Sequence, residues 1–170
     1  MRAAAAACIA AAVAVLTYSN SLDCGFVFDD HLAIETNDDV TTPPSEYDWR
    51  LLWRRDFWGK DLTKFDSHKS WRPIVVLTFR LQAQAQWNET DGAASDAVSR
   101  APPPDGGDDK PPADIDARPF HGVNVGLHAL VSAGVALLAG ELVPNDGGTA
   151  SLVSGVVFAA HPVHVEVRAR

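Results

Sequence analysis

The sequence has little with which to build a thiol site: two cysteines, Cys8 and Cys24, in 170 residues, and no C-x-x-C pair. Cysteine metal sites and thiol redox motifs are thereby excluded, and Cys8 reads as a small apolar residue within a helix. Basic charge is also scarce. Fourteen Lys and Arg stand against 22 Asp and Glu, for a formal charge of −8, which excludes the broad basic face that nucleic acid requires. No self-similarity with a 34-residue period is present, so these residues hold no tandem helical-repeat array. The longest apolar runs, in turn, lack charge almost entirely.

Those runs dominate what is there. Mean hydropathy is −0.05, but the average hides a partition into three apolar blocks and one acidic stretch. The first block, Ala3 to Leu16 and uncharged on to Leu22, has the ~20 residues of a membrane-spanning helix. It reads equally well as a secretory signal, with Arg2 as the charged end and a small-x-small site after Ser21. The second block (Val123 to Val143) and the third (Thr149 to Val167) are joined by PNDGG, a turn by composition. An antiparallel membrane hairpin is expected, with a soluble helical hairpin as the alternative. Gly126, Ser132, Gly134, Gly140, Ser154 and Gly155 suit close helix packing in lipid. The fold class expected is an all-α membrane protein with about three transmembrane helices and a long loop. Residues 1–22 form the first span, 23–91 a structured loop, 92–118 an insertion and 119–170 the hairpin.

The positive-inside rule gives almost no orientation, since Arg2 is the one basic residue before the first block. The sequon Asn88-Glu89-Thr90 is an N-glycosylation acceptor if the loop is luminal. HPVHVE, at the end of the third block, would then return to the same side as FDDH. Within the loop, EYDWRLLWRRDFW is expected as an amphipathic helix along the membrane with Trp at headgroup depth, or as part of a small packed subdomain. IVVLTF reads as a buried strand or a short membrane-contacting helix. From 92 to 118, Pro, Gly and Asp leave too little apolar surface to offset ordering entropy, so disorder is expected.

Three clusters carry chemistry. Asp29 and Asp30, beside His31, offer a general base for a hydroxyl nucleophile; the plainer reading is a helix-capping pair. His161, His164 and Glu166 offer metal-ligand spacing on a helix, with Pro162 in its first turn, but match no zinc pattern; a structural role for the histidines is the alternative. Ionisable groups near membrane depth are functional suspects in general. His68, Lys69 and Arg72 could hold a phosphate or lie against anionic lipid heads.

In order along the chain, CGFVFDD (24–30), DFWG (56–59), SHKSWRP (67–73), LTFRL (77–81), FHGVNVGLH (120–128) and FAAHPVHVE (158–166) resemble the amino-terminal region of the transmembrane and TPR repeat-containing proteins. The resemblance implies a multi-span endoplasmic reticulum protein of partial GT-C-like architecture, with a retained first helix and a luminal first loop. It implies transfer of mannose from dolichyl phosphate mannose to Ser or Thr hydroxyls of luminal proteins such as cadherin-type domains, with inversion. No cofactor is implied with certainty, and use of a divalent metal stays open. The acidic motif maps to Asp29, as base, and Asp30, as helper. His68, Lys69 and Arg72 map to the donor phosphate or lipid interface, and His161, His164 and Glu166 to the luminal mouth. Trp71 stands where the family usually has Tyr, Gly122 and Gly126 are smaller than usual, and the insertion is atypical. Family members continue with further helices beyond VEVRAR, so this chain alone is expected to be inactive. The rival readings are a non-enzymatic endoplasmic reticulum membrane adaptor that binds luminal partners, and a metal-handling membrane protein built on the His and acid clusters.

Overall fold

The computed structural model describes residues 3–90, 113–144 and 146–161. Those residues are helical and irregular with no β-strand, beyond one isolated bridge between Arg55 and Asp61. The chain divides into two compact units, one made of Met1–Gly25 with Ala117–Arg170 and the other of Phe26–Asp116.

The first unit is a three-helix bundle of α1 (Ala3–Tyr18), α4 (Arg118–Leu142) and α5 (Thr149–Ala160). α1 forms because it is largely alanine, the residue with the highest helix propensity, and α4 is started by Pro119 in its first turn. The seam is made of the smallest side chains. Ala7 and Ala10 pack on Ala136, and Ala14 packs on Ala129 and Ala159. A Cβ on Gly155 would lie 2.7 Å from the Ala136 Cβ and 2.8 Å from the Ala10 Cβ, so three backbones meet there at closest approach. Gly140 lies against Ala3 and Ser151. These pairings run α1 antiparallel to α4 and α5 antiparallel to α4. The larger apolar residues point outward: Leu16, Leu130, Leu138 and Leu142 are each more than half exposed. Small residues inside and large apolar residues outside is the arrangement a bundle takes in lipid, where packing rather than burial from water drives association.

Two helical stretches, Ala3–Asp23 and Arg118–Leu142, are long and apolar enough to cross a membrane. The third expected span stops short. α5 has 12 residues, about 18 Å at helical rise, against a hydrocarbon core of about 30 Å. It ends where His161 turns extended (φ −68°, ψ 126°), as the residue before a proline tends to do. The remainder of that block lies outside the described residues.

The second unit contains α2 (Asp38–Thr41), α3 (Pro73–Thr90) and a π-turn at His31–Glu35. IVVLTF lies in α3 and is not a strand. Pro73, Val76, Arg80 and Ala83, at helical spacing, form its buried face, so tertiary packing overrides the β-branched run. EYDWRLLWRRDFW does not form an amphipathic helix. Only Leu51–Trp53 makes a short 3₁₀ turn, because Arg55 is drawn into an ion pair with Asp39 and the chain then doubles back to pair with Asp61. Part of the expected insertion is ordered. The Ala113 N–H donates to the Glu35 carbonyl (3.0 Å), Asp116 pairs with Gln86, Ile115 is buried, and α4 begins at Arg118.

A polar hub fills the core of this unit. Asp39 accepts from Tyr47 Oη (2.9 Å) and Arg55 Nη1 (3.0 Å). Arg80, fully buried, donates to the Asp39 carbonyl (3.0 Å) and stacks on Tyr47, with its guanidinium 3.7 Å from the ring centre. Gln84, with its amide oxygen turned inward, accepts from Arg80 Nε (2.8 Å) and Nη2 (3.2 Å). Asn37 donates to the carbonyls of Ala33 and Phe57 and caps α2 through the Asp39 N–H. Gly59 (φ +77°) passes so close that a Cβ would lie 2.5 Å from Asn37 Oδ1.

Candidate active site

The acidic motif sits on a strained turn. Phe28 has φ +42°, a left-handed conformation that costs a bulky residue energy and is found most often at functional sites. Beyond it the two carboxylates part. Asp30 folds back, its Oδ2 accepting the Val27 N–H (3.2 Å) while its own N–H closes the turn on the Val27 carbonyl (3.0 Å). Asp29 is exposed, with no hydrogen bond to its carboxylate among the described residues. His31 then pairs with Glu35 across the π-turn, whose wider ring is closed by the Thr36 N–H on the His31 carbonyl (3.0 Å). The sequence offered a capping pair or a base. Asp30 performs the local turn bonding, and Asp29 is left facing outward.

The basic motif is organised by a residue that sequence reasoning passed over. Asp56, 1% exposed, accepts from the Trp58 N–H (3.0 Å), the Lys60 N–H (3.0 Å), Ser67 Oγ (2.6 Å) and the His68 N–H (3.1 Å). It ties DFWG to SHKSWRP. The only signal was that both motifs contribute to the family resemblance. On this frame the His68 ring packs edge-on against Trp58 (6.2 Å), the Arg72 guanidinium lies over Phe57 (5.2 Å), and Phe57 and Trp58 touch each other (4.9 Å). His68 and Arg72, both exposed, are therefore gathered on one aromatic pair. Lys69 is held differently. It has φ +58°, and its ammonium donates to the carbonyls of Leu62 (2.5 Å) and Lys64 (2.6 Å), so its charge first serves the loop.

Around this frame, burial pushes the Asp39 carboxyl above its ordinary value, with the Arg55 guanidinium opposing the shift. Burial likewise pushes the Tyr47 phenol up, and the Asp39 charge adds to it. Burial lowers the Arg80 guanidinium.

In the first unit, His161 is exposed at the end of α5. Its carbonyl accepts from Tyr18 Oη (2.8 Å), while the Ala159 carbonyl accepts from His128 Nε2 (3.1 Å), so α1 and α4 together cap α5. His164 and Glu166 lie outside the described residues. Asn88 is in the last turn of α3; its side chain lies outside them too. Among the described residues no three His, Cys, Asp or Glu side chains gather in a way that could hold a metal ion.

Three curated relatives illustrate the similarity. Protein O-mannosyl-transferase Tmtc1 of Drosophila melanogaster is 36% identical over 155 residues, covering 91% of this chain and 14% of that protein. Protein O-mannosyl-transferase TMTC2 of Homo sapiens is 32% identical over 158 residues, covering 93% and 15%. TMTC3 of Homo sapiens is 32% identical over 156 residues, covering 91% and 13%. The chain thus spans roughly a seventh of the length of the relatives it matches. No family model and no solved structure matches it. With two membrane-length helices and similarity along nearly all its residues, it is a membrane protein that, over the portion it spans, is similar to the transmembrane and TPR repeat-containing protein O-mannosyl-transferases.

Proposed function

We propose that this chain is the acidic-motif portion of a multi-pass endoplasmic reticulum mannosyltransferase of GT-C-like architecture. The donor would be dolichyl phosphate mannose and the acceptors Ser or Thr hydroxyls of luminal or secreted proteins, cadherin-type domains among them. The hydroxyl oxygen attacks the mannose anomeric carbon from the face opposite the phosphate. The carbon–oxygen bond to phosphate breaks, dolichyl phosphate leaves with the bonding pair, and the anomeric configuration inverts. The hydroxyl proton passes to Asp29, while Asp30 fixes the turn that presents it. Phosphate is already a good leaving group, so the mechanism requires no strong general acid. His68 and Arg72 on their aromatic pair, with Lys69 beside them, would face the donor phosphate or the lipid interface. His161, His164 and Glu166 would line the luminal mouth, and Asn88 would be a glycan acceptor.

The observation that carries this reading is the division of labour at the strained turn: Asp30 is bonded to Val27 and Asp29 is exposed. The names of the relatives supply the reaction class. The test replaces each aspartate in the complete parent protein and measures mannose transfer to a cadherin-domain acceptor. Asp29→Asn is expected to cost about 10²- to 10⁴-fold, the usual worth of a general base, with Asp30→Asn costing less. Unchanged transfer by Asp29→Asn would falsify the assignment.

A further inference from the structure

We propose that the second unit carries a membrane-docking face, built on Trp53, Trp71 and Ile74 and flanked by Arg50 and Arg54, that seats in the headgroup layer of the chain's own membrane. The sequence pattern suggested tryptophans at headgroup depth along one helix. That helix does not form, yet Trp71 comes from 18 positions downstream to lie beside Trp53, with ring centres 6.3 Å apart. Both indoles remain about half exposed (57% and 53%), and Ile74, in the first turn of α3, is 72% exposed. A cluster of large apolar side chains standing in water marks an interaction surface. Tryptophan, with an apolar body and an N–H to place in the polar layer, is the residue enriched at the bilayer interface.

Two further observations choose lipid as the occupant. The first is charge. The chain is acidic overall, but seven of its fourteen Lys and Arg fall between Arg50 and Arg72, against three of its 22 acids. Arg50 and Arg54 are exposed beside Trp53. A local basic surplus beside exposed indoles complements anionic lipid heads. The second is tethering. The unit spans Phe26–Asp116. Its chain enters three residues after the membrane-length stretch Ala3–Asp23 and leaves two residues before Arg118–Leu142. Tied at both ends to membrane helices, it meets the bilayer surface at high effective concentration. The proposal is independent of the transfer reaction.

The experiment uses the full chain reconstituted in phosphatidylcholine vesicles, with and without lipid brominated near the headgroup end of its acyl chains. Tryptophan emission of the wild type is expected to be quenched by the bromolipid. The double variant Trp53→Phe/Trp71→Phe is expected to lose most of that quenching, since interfacial indoles are the ones in reach. Its unfolding midpoint checks that the fold is kept, and Trp71→Phe alone serves should the double variant fail to fold. Equal bromolipid quenching in both proteins overturns the proposal. So does quenching by aqueous iodide in place of bromolipid, which puts the face in water, or protection from both quenchers, which puts it under protein. Including phosphatidylserine is expected to raise the wild-type quenching, and Arg50→Gln/Arg54→Gln to abolish the rise. A rise that survives both substitutions overturns the part given to these arginines.

Discussion

The two units hold themselves together by opposite means. The bundle packs by smallness: its seam is Ala7, Ala10, Ala14, Ala129, Ala136, Gly155 and Ala159, its buried polar residues among those described are the small Ser132 and Ser151, and large aliphatics lie on the outside. The second unit buries Asn37, Asp39, Asp56, Ser67 and Arg80 and satisfies them with one another and with backbone. The difference follows from the solvent each segment is composed for. A bundle whose outer face is greasy gains little from hiding grease and must gain by close approach. A loop folded in water with a small apolar core must fix its shape through directional bonds, and each buried polar group then becomes costly to orphan.

The comparison can be broken most sharply at Arg80. Arg80→Met removes the stack on Tyr47 and the bonds to the Asp39 carbonyl and Gln84, leaving buried acceptors unpaired. The expected loss is about 3–5 kcal/mol, as for breaking a buried charge network from one side. Denaturant unfolding followed by tryptophan emission should show it, while the helices of the bundle persist by far-ultraviolet dichroism. In the bundle the matching break is Gly155→Leu. Even one Cβ there meets Ala136 and Ala10 below 3 Å, so overpacking by about 1–3 kcal/mol is expected. Gly126→Leu, where nothing lies within 4 Å, should shift the melting temperature in detergent hardly at all. Similar shifts from the two substitutions would show that the small-residue seam is not what holds the helices. Asp56→Ala tests the second unit at the candidate site. Four donors lose their acceptor, at a cost of about 1–3 kcal/mol, and amide exchange should accelerate first at Lys60 and His68.

How much of this was legible follows the same division. The bundle's helices were readable from uninterrupted apolar runs; of the Gly and Ser positions singled out for close packing, Ser132, Gly140 and Gly155 lie between helices, whereas Gly126 and Gly134 are exposed with nothing within 4 Å. The helix lengths were less legible. α5 stops at Ala160, where His161 is extended, as the residue before a proline tends to be; the reading of Pro162 in the first turn of a new helix falls outside the described residues. The second unit was misread wherever a long-range polar bond decided local structure. Arg55 serves Asp39, 16 residues back, and that cost EYDWRLLWRRDFW its helix. Arg80 reaches across 41 residues to Asp39, and no local spacing announces it. Asp29 and Asp30 were found because adjacency is visible in sequence. Their unequal roles, Asp29 as base and Asp30 as helper, were an expectation from the resemblance, but the bond by which the Val27 N–H holds Asp30 was not visible.

The smallest effect lies at the turn between α4 and α5 and sets the pH response of the two units against each other. Asp146 accepts from the Gly148 N–H (2.8 Å) and the Ala150 N–H, and these bonds hold its carboxyl below its ordinary 3.8. A depressed carboxyl contributes stability that is present above 3.8 and is lost as pH falls through the folded value. Asp146→Ala should therefore lower the bundle's melting temperature slightly at neutral pH, and the gap to wild type should close on acidification below about 3.8. Asp39 in the second unit has the opposite sign. Burial raises its folded value, so its contribution is most favourable at low pH and declines as pH rises from 3.8 toward that raised value. Asp61 and Asp66, held low by Thr63 and Lys60, run against Asp39 within the same unit. Acid titration of Asp146→Ala beside wild type, read on bundle helicity, should then show a single carboxyl step. The tryptophan signal of the second unit should show a shallower response in which Asp39 opposes Asp61 and Asp66. A steep acid loss in the tryptophan signal, equal in both proteins, would show that the buried Asp39 does not offset them.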